Sequence, residues 1–159
     1  MGTGRSEPVH LLVVDGANVV GSRPDGWWRD RAGAARRLHA QLVVLDRGPA
    51  DPPDPRPAQR VVLVLEGKAV AGVPATAEGP VEVRHAAGSG DDAIVQVVRE
   101  AGAGSTTAGA TGSTEPARVT VVTADRGLRA RVEALGATTV GPGWLLERLA
   151  ARAPGDGPG

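Results

Sequence analysis

The chain has 159 residues, with 18 Lys and Arg against 18 Asp and Glu, 23 Gly, 13 Pro and no Cys. That length suits one ordinary domain, and the lack of Cys excludes a disulfide scaffold, a thiolate zinc site, an iron–sulfur site and a cysteine nucleophile. No apolar run approaches the ~20 residues of a membrane span, and the zero net charge leaves only local basic patches to argue for nucleic acid.

Residues 1–8 (MGTGRSEP) lack the basic-then-apolar layout of a signal peptide and read as a flexible N-terminus of a cytoplasmic protein. Val9–Asp15 (VHLLVVD) is a near-continuous apolar run, the pattern of a strand buried on both faces. Gly21–Asp30 reads as a loop. Arg31–Leu45 sets Ala34, Ala35, Leu38, Leu42 and Leu45 at three- and four-residue spacing, which predicts a helix. Residues 48–59 (GPADPPDPRPAQ) are Pro-rich and polar, and predict a flexible linker. Arg60–Glu66 (RVVLVLE) is a second buried strand, and Val81–His85 a shorter, alternating one. Asp91–Ala101 carries Ile94, Val97, Val98 and Ala101 on one helical stripe. Residues 101–117, rich in Gly, Ala, Ser and Thr without period, read as a flexible insertion. Arg118–Asp125 (RVTVVTAD) is a third strong strand. Leu128, Val132 and Leu135 then mark a helix over Arg126–Leu135, stopped at Gly136. Thr138–Val140 is a short last strand, Trp144–Ala151 a terminal helix and 153–159 a disordered Gly/Pro tail. Residues 9–152 thus form one domain. Alternating strands and helices predict an α/β three-layer sandwich with a mostly parallel central sheet. Its core must come from 22 Val, 12 Leu and the alanines, because Phe and Tyr are absent. The apolar residues of 140–149 suit packing within the chain or on a second copy, so the oligomeric state stays open.

The acids are placed with a pattern. In open parallel sheets, ligands bind beyond the C-terminal ends of the strands. Three strong strands end in Asp15, Glu66 and Asp125, and the helix after the third strand opens with Asp91-Asp92. Parallel strands would bring these carboxylates to one edge, where they repel each other. Hard divalent cations such as Mg²⁺ or Mn²⁺ relieve that repulsion. Such an ion can activate water and stabilise the oxygens of a phosphodiester under attack. Each acid also has a plainer use. Asp15-Gly16 can be a turn, Asp125 a helix cap, Asp91 and Asp92 partners of a helix dipole, and Glu66-Gly67 the start of a loop. Asp91 falls nearer the apolar stripe than Asp92, so it ranks first of the two. Asn18, the sole Asn, sits beside Asp15.

Asp15-Gly16-Ala17-Asn18-Val19-Val20-Gly21 after a buried strand resembles the opening motif of the NYN-domain (YacP-like) branch of the PIN-like ribonucleases. Gly90-Asp91-Asp92-Ala93-Ile94 and Val121-Val122-Thr123-Ala124-Asp125-Arg126 resemble that family's mid-chain and late acid motifs, in the same order. The resemblance implies a PIN-like fold and a metal-dependent endoribonuclease. In that family the acids hold Mg²⁺ or Mn²⁺. By it, Asp15, Asp91 and Asp125 are metal-binding acids, with Asp92 the alternative at the helix start, and Asn18 is a polar site residue. Glu66 stands where YacP-like members often carry a second-strand acid. The insertion over 101–117 is longer than this compact fold needs.

Arg23, Trp27, Trp28, Arg29 and Arg31 follow the first motif. Cations interleaved with aromatics suit single-stranded RNA, although one Trp at least is expected to pack the first helix on the sheet. Lys68, Arg84, His85, Arg126 and Arg129 fall near the same predicted edge and are candidate phosphate contacts, with solvated surface charge as the plain alternative. His10 and His39 look structural. Gly88-Ser89-Gly90-Asp91-Asp92-Ala93 matches a loose dinucleotide fingerprint, but two Asp would face the pyrophosphate and no ribose-binding acid follows at the needed distance. There is no P-loop and no Gly-x-Ser-x-Gly elbow. Two classes survive. One is an endoribonuclease acting on RNA, free or held by a ribosome. The other is a non-catalytic RNA- or protein-binding domain on the same fold.

Overall fold

A computed structural model describes residues 10–22, 26–47, 59–79, 81–107 and 118–151. Five strands, β1 (His10–Asp15), β2 (Gln59–Leu65), β3 (Val81–His85), β4 (Arg118–Val122) and β5 (Thr138–Val140), form one sheet in the order β3-β2-β1-β4-β5. Every pairing between these five strands is parallel, as expected, and one isolated antiparallel bridge joins Thr76 to Val83 of β3. The helices are α1 (Gly16–Gly21), α2 (Arg31–Arg47), α3 (Gly90–Thr107), α4 (Arg126–Glu133) and α5 (Pro142–Ala151).

Neighbouring strand residues point to opposite faces, and each face has its own apolar layer. Leu12, Val14, Val61, Leu63 and Leu65 meet Val19 and Val20 of α1, Leu38 and Leu42 of α2, and Leu145 and Leu149 of α5. Leu11, Val13, Val62 and Val64 meet Ile94, Val97 and Val98 of α3, and Leu128 and Val132 of α4. The result is a three-layer α/β sandwich whose interior is Val, Leu, Ile and Ala. The apolar side of α5 is spent inside the chain.

The order of strands sets the position of any ligand. From β1 the chain moves outward to β2 and β3, then returns across β1 to add β4 and β5. The direction reverses between β1 and β4, and in open parallel sheets ligands bind at such a point, beyond the strands' C-terminal ends.

Several local features depart from the sequence reading. The segment after Asp15, to which the sequence reading assigned no element, is a short helix (α1), because Asp15 caps it and Val19 and Val20 reach the core. The expected loop over Gly21–Asp30 contains a 3-10 turn at Trp27–Arg29, and a second 3-10 turn at Gly67–Gly72 follows β2. Helix α3 runs on to Thr107, so residues 101–107 are helix rather than insertion. AGAGSTT has poor helix propensity of its own, so the stretch is helical as an extension of the helix already formed before it. The expected linker (48–59) gives up its last residue, since Gln59 opens β2; its remainder (48–58), the expected N-terminus (1–8), the remaining insertion (108–117) and the tail (153–159) lie outside the described residues, as does Arg23. Among the described residues no helix is long and apolar enough to cross a membrane.

Candidate functional site

Asp15 closes β1 and is only 4% exposed. Its Oδ1 accepts from the Asn18 backbone N–H at 3.3 Å, which caps α1. Its Oδ2 accepts from Asn18 Nδ2 at 3.1 Å and from the Thr123 hydroxyl at 2.8 Å. The fully buried Thr123 lies just past β4, and its oxygen also accepts from the Asp125 N–H at 3.1 Å. Asn18 Oδ1 accepts from the Ala124 N–H at 2.8 Å. Asp125 caps α4 through Leu128 N–H at 2.9 Å, with its side chain at the exposed rim. The ends of β1 and β4 are thus laced together across the switch point. Gly16 makes the close fit possible, since a Cβ there would stand 2.7 Å from the Val64 carbonyl oxygen.

The third contribution comes from β2 and α3. Glu66 Oε1 accepts from the Gly90 N–H at 2.6 Å, tying the end of β2 to the start of α3. That contact delivers Asp91, the next residue, to the same edge. Burial raises the Asp15 carboxyl above the ordinary carboxylate range; its hydrogen bonds from Thr123 and Asn18 oppose the rise, and the charges of Asp91 and Glu66 add to it. Burial also raises Asp91, followed by repulsion from Asp125 and Glu66, with Arg131 opposing and Asp92 adding. The charges of Asp91 and Glu66 thus bear on Asp15, and those of Asp125 and Glu66 on Asp91, as neighbouring like charges do.

Two candidates do not join them. Asp92 is turned outward, its side chain 75% exposed and paired with Arg131 at 3.1 Å. Arg84 is held by Glu82 at 2.8 Å and Glu100 at 2.9 Å, and these partners raise its pKa further. Glu100 lies ten residues into α3, about 15 Å below its start at 1.5 Å per residue, so Arg84 is drawn away from the acids. His85 is engaged with the Val73 carbonyl at 2.7 Å and Arg129 with Thr139 at 3.0 Å. Lys68 and Arg126 are exposed, on the turn after Glu66 and at the start of α4. Trp27 is half-buried against the core and Trp28 is exposed. His10 contacts Thr120 at 3.0 Å, and burial lowers the pKa of both His10 and His39, as structural histidines show.

The donor set is oxygen-only and carries excess negative charge, which fits a hard divalent cation. Among the described residues no three His, Asp or Glu side chains form a group that could hold a metal ion between them. Mg²⁺ keeps several waters and takes one or two carboxylates directly, so a preformed cage is not required for the set to fit.

No family profile matches this sequence, and no curated protein sequence does. Among solved structures, Rae1 (YacP) from Bacillus subtilis aligns with TM-score 0.63 and 17% identity, over 89% of this chain and 74% of that one. The chain shares its PIN-like fold with Rae1 (YacP). A single-substitution mutant of Rae1 aligns equally, with TM-score 0.62 and 17% identity over 90% and 76% of the two chains. Sequence reasoning passed over Thr123, the residue that joins Asp15 to the β4 end. A hydroxyl two residues before a strand-end acid was the available signal.

Proposed function

We propose that the chain is a metal-dependent endoribonuclease, hydrolysing RNA phosphodiester bonds at the edge bearing Asp15, Asp91 and Asp125. The observation that carries this reading is the gathering of four carboxylates at the switch point, two of them with raised pKa. Left alone, that cluster costs stability, and proteins keep such costs mainly at functional sites. The motif resemblance to YacP-like ribonucleases and the fold shared with Rae1 (YacP) support the same assignment. Asp15, Asp91 and Asp125, with Glu66 beside Asp91, would hold Mg²⁺ or Mn²⁺. When bound, such an ion polarises a phosphate and lowers the pKa of water. The chain's own part is to fix Asp15 through Asn18 and Thr123, and to draw phosphates with Lys68 and Arg126. The RNA is free or carried by a ribosome, and the compartment is the cytoplasm.

A second reading, a non-catalytic RNA- or protein-binding domain, draws on the lack of such a three-ligand group among the described residues. Metal dependence separates the two. Purified protein is expected to bind Mn²⁺ by calorimetry and to cleave RNA with Mn²⁺ or Mg²⁺. EDTA and Asp15→Asn should each abolish cleavage. Neither Mn²⁺ binding nor cleavage of any RNA would favour the binding domain. Cleavage that survives both treatments would exclude the carboxylate mechanism.

A further inference from the structure

Trp28 is 56% exposed, while Trp27 and Trp144 both pack against the core. It is also held firmly. Gly26, at φ 76°, turns the chain into the 3-10 turn Trp27–Arg29. Trp27 lies over the end of α1, within 3.8 Å of where a Gly21 Cβ would stand. Trp28 meets Trp27 edge-on, with ring centres 6.0 Å apart at 89°. The Arg29 guanidinium stands over one face of the Trp28 ring, 5.9 Å from its centre, and that of Arg31 over the Trp27 ring at 5.4 Å. Asp30 then caps α2 through the Gly33 N–H at 2.8 Å, anchoring the turn's far end.

The turn lies at the acid edge. Because β1 and β2 are parallel, α2 must run from the C-terminal edge of the sheet back to the N-terminal edge, so the turn just before α2 sits at the former. A close contact supports this. The 3-10 turn that follows Glu66 packs on the first residues of α2, where a Cβ on Gly72 would run into the Ala32 carbonyl.

We infer that Trp28 and Arg29 form a stacking subsite for one unpaired nucleotide of an RNA strand, beside the carboxylate edge. This inference rests on the nuclease reading. An indole offers a π-face to any base, and a guanidinium beside it supplies the cation for the adjoining phosphate. Bases in a duplex already stack on each other, so the subsite selects unpaired strand. An adjacent acidic cluster repels phosphate when no cation is bound, which makes an attractive anchor beside it useful for holding the strand.

The test uses the full chain in EDTA, so that binding is read without cleavage. A fluorescein-labelled single-stranded oligoribonucleotide and its duplex with the complement are titrated by anisotropy against wild type, Trp28→Ala and Trp28→Phe. One stacked base predicts a roughly tenfold loss of single-strand affinity in Trp28→Ala, largely restored in Trp28→Phe, with duplex binding unchanged. Mn²⁺ binding by calorimetry should be the same in all three, which keeps this result separate from the metal reading. Single-strand affinity that is equal in wild type and Trp28→Ala, or absent in wild type, would overturn the subsite. So would an equal loss for duplex. A wild type that fails to bind Mn²⁺ but shows the Trp28-dependent preference would overturn the nuclease reading and keep the subsite.

Discussion

The Thr123 hydroxyl donates to Asp15 and accepts from the backbone of Asp125, so one buried oxygen sets the spacing of two acids that come from different strands. Removing it by Thr123→Val leaves the Asp15 carboxylate short of a donor and the Asp125 N–H without an acceptor. The expected loss is about 2 kcal/mol of stability, measured by urea denaturation, because the donor serves a buried charge. Thr123→Ser keeps the hydroxyl and should lose roughly 1 kcal/mol, mostly methyl packing. Mn²⁺ affinity separates positioning from mere stability: it should fall in the valine variant and persist in the serine variant. At this scale the sequence was readable where a residue type has few uses. An acid ending an apolar run, or a lone Asn next to it, is conspicuous. Thr123 was hidden because threonine in a Val-rich strand is what β-propensity alone would choose. Arg84 misled because its position along β3 says nothing of Glu100, whose place beside it depends on how α3 packs.

At the level of elements, two of the acids serve as helix caps as well: Asp15 for α1 and Asp125 for α4. The plainer use weighed against function for Asp125 is therefore real, and the two uses can be separated by chemistry. Asparagine caps as well as aspartate does, whereas alanine costs about 1 kcal/mol. Asp125→Asn is expected to keep its thermal stability and weaken Mn²⁺ binding, while Asp125→Ala loses both. Unchanged Mn²⁺ affinity in Asp125→Asn would leave Asp125 as a cap alone. The buried strands β1, β2 and β4 were legible because burial on both faces demands unbroken apolar runs. The short α1 was not. Gly16-Ala17-Asn18-Val19-Val20-Gly21 has poor helix propensity, and it is the Asp15 cap and the core contacts of Val19 and Val20 that make it helical. The end of α3 was missed for a similar reason, since its Gly, Ser and Thr resemble a linker and it is helical by extension of the turns before it.

For the whole molecule, the raised pKa values of Asp15 and Asp91 link stability, protons and metal. The folded chain holds these two protons more tightly than the unfolded chain does. Stability contributed by the two groups is therefore present at acid pH, falls as pH rises from the ordinary carboxylate range through their raised values, and stays lost above. A cation that binds only the ionised, folded form should reverse that loss. Mn²⁺ is thus expected to raise the melting temperature more at neutral than at mildly acid pH, and to release protons on binding, which calorimetry in buffers of different ionisation enthalpy would register. A melting temperature indifferent to Mn²⁺ at both pH values would remove the linkage. The zero net charge is consistent with this arrangement, since it sums an acidic edge with arginines spread elsewhere. The bond between Thr123 and Asp15 spans 108 positions of the chain, and that between Ala124 and Asn18 spans 106. Contacts of such long range close late in folding, after the entropy of the intervening loop has been overcome. During synthesis, Asp15 emerges 108 residues before Thr123, so the two must wait for that stretch of chain before they can meet. The acid edge comes into being only when β4 slots in beside β1.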